Sequence, residues 1–535
     1  MNLIESSVQS SSGMVVCPHF LASEVGAQIL RMGGNAVDAA IATQAALGVV
    51  YPHMTGLGGD AFWQIYDAQT PSLDGLNGSG RAAAAATHEF YQRQGYGEIP
   101  QRGPLAAITV PGAIASWEAA HQRFGHLDWA TLLQPAIDLA RTGYPASGSQ
   151  VYWTRQNRLH FQAYAAVACP FLPGGELPQV GGILTNPDLG DTLQRLAEAG
   201  AADFYTGKIA TQITDYLQTV GGLLTQADFA AHRSDWVTPL TTTYRGYQVA
   251  QLPPNSQGFT VLQMLNLIEP FDLAALGHGT ADYYHLLIEA TKLAFADRDR
   301  WLTDPDFADI PVAELISKAY SDRRRPQLAL DVASLRPTPP IGGDTAYTAI
   351  VDAAGNAVSV IQSVYFDFGA AVIVPGTGFV LQNRGCFFSL DANHINALAP
   401  HKRPFHTLMP GLVLHPDGRP YLVLGTMGGE GQPQTQLALL TRLLDFGLDP
   451  QAAINAPRWL WGRTWGEAES GLTLEGRIPA AVRQTLSDRG HPVVTAPDWT
   501  AKMGHAHVIR IDQAAKQYVA GCDPRSDGAA IAPTG

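Results

Sequence analysis

Near the middle of the chain, Gly342-Gly343-Asp344-Thr345 sets a flexible stretch directly against a threonine that opens a strand. A cut between Asp344 and Thr345 would free an α-amino group on Thr345, and that one residue would then hold both halves of a catalytic pair. A threonine hydroxyl is a weak nucleophile alone, but an α-amino group with a pKa of about 7.7 to 8 takes its proton at neutral pH, directly or through a water. On pattern alone, Asp-Thr before a strand also reads as an ordinary strand start. Other chemistry is thinner. His505 and His507 lack an adjacent carboxylate and make a weak metal pattern. Cys17, Cys169, Cys386 and Cys522 stand far apart, without the spacing of a disulfide framework or a zinc knuckle. Thr55-Gly56-Leu57-Gly58-Gly59-Asp60 is glycine-rich, but no Gly-Lys-Ser/Thr follows and a strand comes next, so it reads as tight backbone passing a site and not as a phosphate loop.

The elements that would position Thr345 are legible on both sides of it. Thr345 to Asp352 is β-branched and aromatic, Ala353-Ala354-Gly355-Asn356 is a turn, and Ala357 to Val364 returns as a second strand, which makes a hairpin. Further strands are expected at 61–66, 371–374, 378–382, 411–415, 421–425 and 507–511. Residues 20–50 read as helix broken at Gly33-Gly34-Asn35, its second part rich in small residues that neighbours can approach closely. From about 113 to 320 the pattern is mainly helical, and from about 326 to 343 it loosens into a proline-stiffened linker.

Composition bounds the function. The 535 residues are 46% hydrophobic and only 15% charged, with 54 Gly and 36 Pro, as in a large, loop-rich globular enzyme. A net charge of −13, with no basic cluster longer than Arg323-Arg324-Arg325, excludes a nucleic-acid partner. The N-terminal residues lack the basic start and apolar run of a secretory signal, and no apolar stretch is long enough to span a membrane, so the cytoplasm is the expected compartment.

Beyond these local signals lies a long resemblance. Gly33 to Ala40, Thr55 to Asp60, Pro111-Gly112, Phe204-Tyr205-Thr206-Gly207, Gly342 to Thr345, Asp352 to Val358, Lys402-Arg403-Pro404, Gly428-Gly429 and Asn455-Ala456-Pro457-Arg458 look like the gamma-glutamyltransferase family, in that family's order and over nearly the whole chain. The resemblance implies an α+β, N-terminal nucleophile hydrolase fold, a four-layer αββα sandwich. It also implies an inactive precursor that cuts itself into a large chain, 1–344, and a small chain, 345–535, which stay together as one fold. Thr345 then resembles the nucleophile, Ser363 a second hydroxyl touching the new amino group, Gly428 and Gly429 the oxyanion hole, and Arg81 the guanidinium that binds a substrate carboxylate. The family's chemistry requires no metal or organic cofactor, and none is expected.

Where the family holds a substrate's α-amino group, this sequence departs from it. The matching positions carry Tyr365, Arg384, Phe387, and His406 with Thr407. Phe387 cannot accept a hydrogen bond from an ammonium group and Arg384 would repel one, so such a substrate would lose its partners at a real cost. The pocket these residues imply is shallower and suits a short acyl group beside a carboxylate. The stretch from Phe388 to Lys402 is also short for the family's lid, which favours hydrolysis by water over transfer to a second amine. Within the wider family the sequence looks most like the oxamate amidohydrolase branch. Three readings follow: an amidohydrolase for oxamate or a similar small anionic amide, a γ-glutamyl enzyme with an unusual amino pocket, and a non-catalytic binding homologue. Partners beyond the substrate would be the two chains of one precursor, with a dimer of such units left open.

Overall fold

The computed structural model describes residues 5–164, 169–334, 343–462 and 471–534. Gly342 of the junction and residues 335–342 of the expected linker lie outside them. Among the described residues, two seven-stranded antiparallel sheets lie face to face. The first runs in the order Ala529–Ile531, Gly13–Cys17, Asp344–Asp352, Ala357–Tyr365, Asp60–Asp67, Ser72–Gly78 and Asp235–Val237. The second runs Val8–Ser10, Gln517–Cys522, Ala506–Asp512, Pro420–Thr426, Gly411–Leu414, Tyr247–Gln251 and Leu240–Tyr244. Residues from both sides of the Asp344–Thr345 bond therefore contribute strands to each sheet.

Strand periodicity explains why these segments are apolar on both faces. In Asp344–Asp352, Tyr347, Ala349 and Val351 enter the core between the sheets, where they meet Leu412, Val423 and Ile509. Ala346 and Ile350 point the other way, into the core beneath the helices. That outer core is closed by Phe20–Arg31 and Ala36–Val50, and the latter is buried at every position. Its small side chains permit the close approach, and a capping box between Asn35 and Asp38 satisfies its first N–H groups. Phe259–Ile268 and Gly431–Leu444 cover the second sheet, with Ala281–Trp301 packed alongside. The result is the four-layer αββα sandwich that the family resemblance implied.

Two local expectations need correction. Residues 371–374 and 378–382 form no named strands; they meet only through an isolated bridge between Ile373 and Val380, because Ala371, Gly376 and Gly378 adopt positive φ and break the extended run. The helical region, in turn, contains the strands Asp235–Val237, Leu240–Tyr244 and Tyr247–Gln251; the latter two pair with each other as a hairpin, while Asp235–Val237 and Tyr247–Gln251 have partners far away in sequence. The four cysteines are free. Among the described residues no helix is long and apolar enough to cross a membrane.

Candidate active site

Thr345 shares its strand face with Tyr347, which directs its side chain into the space between the sheets. In the uncut chain it is 1% exposed, and its Oγ1 has no hydrogen-bond partner among the described residues. The ladder is irregular here: Asp344 lies opposite Tyr365 but Ala346 lies opposite Gln362, so the returning strand carries an extra residue across from Thr345. Ser363 lies within that irregularity. Its Oγ accepts a hydrogen bond from the Tyr365 N–H at 2.8 Å, and its register partner on the next strand is Asp60. Tyr365 itself has φ of 82°, a left-handed conformation that costs a tyrosine free energy and is concentrated at functional sites. Its ring packs over Gly343, where a Cβ would lie 2.7 Å from Tyr365 Cε2, so the junction passes too close for any side chain at 343.

Gly428 and Gly429 complete this side of the site. They follow the strand Pro420–Thr426 and precede the helix Gly431–Leu444, with φ values of 122° and 53° that favour glycine. A Cβ at 343 would lie 3.7 Å from Gly429 Cα, which sets the pair beside the junction. Their carbonyls are engaged, Gly428 O by the Gly431 N–H and Gly429 O by Gln432 N–H and Gln257 Nε2. Their N–H groups have no partner among the described residues, and the positive end of the helix dipole lies just beyond. Two free N–H groups near a nucleophile are the requirement of an oxyanion hole.

Arg384 forms the opposite, buried part of the site. Its guanidinium stacks 4.0 Å from the centre of the Tyr365 ring and 5.8 Å from that of Phe387, and its Nη1 donates to Thr407 Oγ1 at 3.2 Å. Among the described residues no carboxylate lies within salt-bridge distance of it, though the nearby Asp60 charge favours its charged form, and its Nε and Nη2 have no hydrogen-bond partner. Burial pulls its pKa down to about 10, which still leaves it charged at neutral pH. Behind it lies a buried carboxylate that sequence reasoning assigned no role. Asp60 Oδ1 accepts from Gly80 N–H at 3.1 Å, Gly112 N–H at 3.0 Å and Gln382 Nε2 at 2.9 Å, while Oδ2 lies 3.1 Å from His406 Nε2. Burial raises Asp60 to about 6 and lowers His406 well below its ordinary value, so His406 is a neutral imidazole that donates from Nε2.

Of the ten expected site residues, nine thus fall into two adjoining groups joined by Tyr365: Thr345, Ser363, Gly428 and Gly429 on one side, Arg384, Phe387, His406 and Thr407 on the other. Arg81 is the exception. Its side chain is 28% exposed and pairs with Asp306 at 3.3 Å and Asp235 at 3.7 Å, and among the described residues it makes no hydrogen bond or ion pair with the other nine. Beyond Asp60, sequence reading missed Gln257, whose Nε2 bridges Thr407 O and Gly429 O, and Arg298, which holds Gln257 Oε1 and Glu430 Oε1 at 3.2 and 3.0 Å. Asp60 closes a glycine-rich motif that sequence reading noted; Gln257 and Arg298 carry no local signal. His285, Glu289 and His491 cluster closely enough to hold a metal ion. The Lys292 ammonium, 2.7 Å from Glu289 Oε1, takes the cation's place there.

Comparison with known proteins adds to this geometry. The family model described as gamma-glutamyltranspeptidase matches residues 22–533. The chain is similar to the glutathione hydrolase-like YwrD proenzyme of Bacillus subtilis, 48% identical over 99% of this chain and all of that one. It is 40% identical to the oxamate amidohydrolase proenzyme of Klebsiella pneumoniae, over 98% and 99% of the two chains. Among solved structures, the cephalosporin acylase from Bacillus halodurans superimposes with a TM-score of 0.92 at 38% identity, covering all of this chain and 98% of that one.

Proposed function

The chain belongs to the gamma-glutamyltranspeptidase family, and on that premise we propose that it cuts itself before Thr345 and then hydrolyses the C–N bond of a small anionic amide, oxamate being the best fit. Its enzyme class is that of its relatives, a hydrolase acting on amide bonds. One observation carries the substrate reading: Arg384 is buried, charged and stacked on Tyr365, with two of its nitrogens left without a hydrogen-bond partner and no carboxylate within salt-bridge distance among the described residues. A desolvated guanidinium in that state is completed by an anion, and a planar carboxylate matches its fork. An α-ammonium group would meet the same charge repulsively.

Self-cleavage leaves 1–344 and 345–535 as large and small chains, and their shared sheets hold them together. The α-amino group of Thr345 takes the hydroxyl proton as Oγ attacks the amide carbon. Gly428 and Gly429 N–H groups stabilise the tetrahedral oxyanion, and Ser363 orients the amino group. The C–N bond then breaks, the proton passes to the departing nitrogen, and ammonia leaves behind a Thr345 ester. Water hydrolyses this ester to release oxalate and restore Thr345. Arg384 grips the substrate carboxylate, Thr407 steadies Arg384, and Tyr365 with Phe387 limits the acyl length. Arg81 is a candidate second anion ligand, since a surface pair such as Arg81–Asp306 is weak enough to open.

The likeness to a glutathione hydrolase-like protein favours a second reading, hydrolysis of γ-glutamyl compounds. Ammonia release by the matured protein offered oxamate and glutamine side by side separates the two. Release from oxamate is expected. Release from glutamine alone would overturn the small-anion reading and mean that the ammonium is anchored elsewhere.

A further inference from the structure

Gln257 is fully buried between the two groups of the site, and both polar atoms of its side chain are engaged. Its Nε2 donates to Thr407 O at 2.8 Å and to Gly429 O at 3.0 Å, and its Oε1 accepts from Arg298 Nη1 at 3.2 Å. A guanidinium only donates, so Oε1 must face Arg298 and the NH₂ must face the two carbonyls. The carboxamide therefore has one orientation.

The two carbonyls belong to different halves of the site. Gly429 O lies on the peptide that follows the diglycine, whereas Thr407 takes the Arg384 Nη1 hydrogen bond on its hydroxyl. The backbone before Thr407 is tied to the same segment, with Gln257 N–H on His406 O at 3.0 Å and His406 N–H on Asn255 O at 2.8 Å. Arg298 secures the other end of Gln257. It is fully buried, donates to Glu430 Oε1 at 3.0 Å directly after Gly429, and sets its guanidinium carbon 5.5 Å from the ring centre of Phe405. Phe405 packs 4.7 Å from Phe387, and Phe387 packs 4.9 Å from Tyr365, on which Arg384 stacks. Gln257 thus closes a ring of contacts that joins the diglycine to Arg384.

We propose that Gln257 sets the distance between the oxyanion hole and the carboxylate grip, and that this distance makes the enzyme read the chain length of a dicarboxylic monoamide. The inference rests on the small-anion reading of the site, with Gly428 and Gly429 as the oxyanion hole and Arg384 as the grip. In oxamate the carbonyl under attack is bonded directly to the carboxylate carbon, and each added CH₂ lengthens that separation by up to about 1.5 Å. A displacement of ~1 Å at a reacting centre costs on the order of a hundredfold in rate. A fixed spacing therefore separates these homologues, and a loosened one does not. Gln257 acts through Gly429 and Thr407 and is a positioning residue.

The test is kcat/KM of the matured protein on oxamate, malonamate and succinamate, a series in which one CH₂ is added at a time. Wild type should favour oxamate over malonamate by about a hundredfold. Gln257→Met, which fills the same space without the side-chain hydrogen bonds, should narrow that ratio about tenfold. Arg298→Lys, which keeps a cation beside Glu430 but loses the planar fork that also holds Gln257, should narrow it about threefold. Intact mass of each variant establishes that it has matured. A loss of stability alone would lower the rate on all three amides alike and leave the ratio as it is. An unchanged ratio in both variants, or a wild type that hydrolyses all three amides equally well, would overturn the inference while leaving amide hydrolysis at Thr345 in place. Refusal of all three amides by a wild type that releases ammonia from glutamine would overturn the small-anion reading and the inference with it.

Discussion

Asp60 Oδ2 and His406 Nε2 lie 3.1 Å apart, both fully buried, at the point where five segments of the chain converge. The other oxygen of Asp60 fixes Gly80 next to Arg81, Gly112, and Gln382 two residues before Arg384. Asp60 is also the register partner of Ser363, opposite which the ladder distorts around Thr345. One carboxylate thereby ties the hairpin of Thr345 to the group around Arg384, and on the proposed function Asp60 is a positioning residue.

Asp60→Asn should expose that role. Asn presents an NH₂ or an oxygen, not two oxygens, so either a backbone N–H or His406 loses its acceptor, at a cost of about 1 to 3 kcal/mol. The pH dependence supplies the sign. With a folded value of about 6 against an ordinary 3.8, Asp60 binds its proton more tightly in the folded state, so its contribution to stability falls as pH rises through that interval. Denaturation of wild type and variant between pH 4 and pH 6 should show this contribution as a slope of at most about 1.4 kcal/mol per pH step of one, which the variant lacks. Equal slopes would mean that Asp60 titrates normally.

Arg384→Gln should raise KM for oxamate by about a hundredfold, the worth of a charge-assisted bidentate contact of roughly 3 kcal/mol, with kcat changed much less. Arg384→Lys should not rescue, because an ammonium cannot reproduce the fork that stacks on Tyr365. The paired change Phe387→Asp with Arg384→Gln should bring in γ-glutamyl substrates by supplying an acceptor and removing the repulsion. Steady-state kinetics on oxamate and glutamine decide both points, and an unchanged KM in Arg384→Gln would remove Arg384 from the pocket.

Much of this was legible in the chain because it is local. The hairpin from Thr345 to Val364 declared itself through β-branched residues around Ala353-Ala354-Gly355-Asn356, and the buried helix Ala36–Val50 through its run of small residues. What stayed hidden is non-local. Strands such as Tyr247–Gln251 are stabilised by partners more than 150 residues away, Gly411–Leu414 among them. Asp60 became a hub only when Gly80, Gly112, Gln382 and His406 folded around it. Arg81 was drawn toward the site by motif alone, and the pairing with Asp235 and Asp306 that occupies it could not be read from Gly80-Arg81-Ala82.

Gly429→Ala should lower kcat by two to three orders of magnitude, the usual cost of an impaired oxyanion hole, with little change in KM. At φ of 53° an alanine is strained by about 1 kcal/mol or more, and relief of that strain turns the N–H away from the oxyanion. Gly428→Ala, at φ of 122°, should be worse. Pre-steady-state acylation measured with a chromogenic amide separates this loss from one of folding, and wild-type acylation in Gly429→Ala would place the oxyanion hole elsewhere.

Maturation and turnover should depend on the same atoms of Thr345 in different ways. In the uncut chain its nitrogen is an amide and cannot act as a base; after cleavage it is an amine with an ordinary pKa of about 7.7 to 8. Thr345→Ala should therefore yield one uncut chain by intact mass spectrometry, and Thr345→Ser, which keeps a hydroxyl, two chains parting before residue 345. In the matured protein the amine works only when neutral, so kcat/KM should rise with pH and level off above about 8. Protonation of Asp60 should add a second fall below about pH 6, absent in Asp60→Asn. An active wild type that remains uncut would contradict the mechanism at its first step, because no neutral amine would be available beside the hydroxyl.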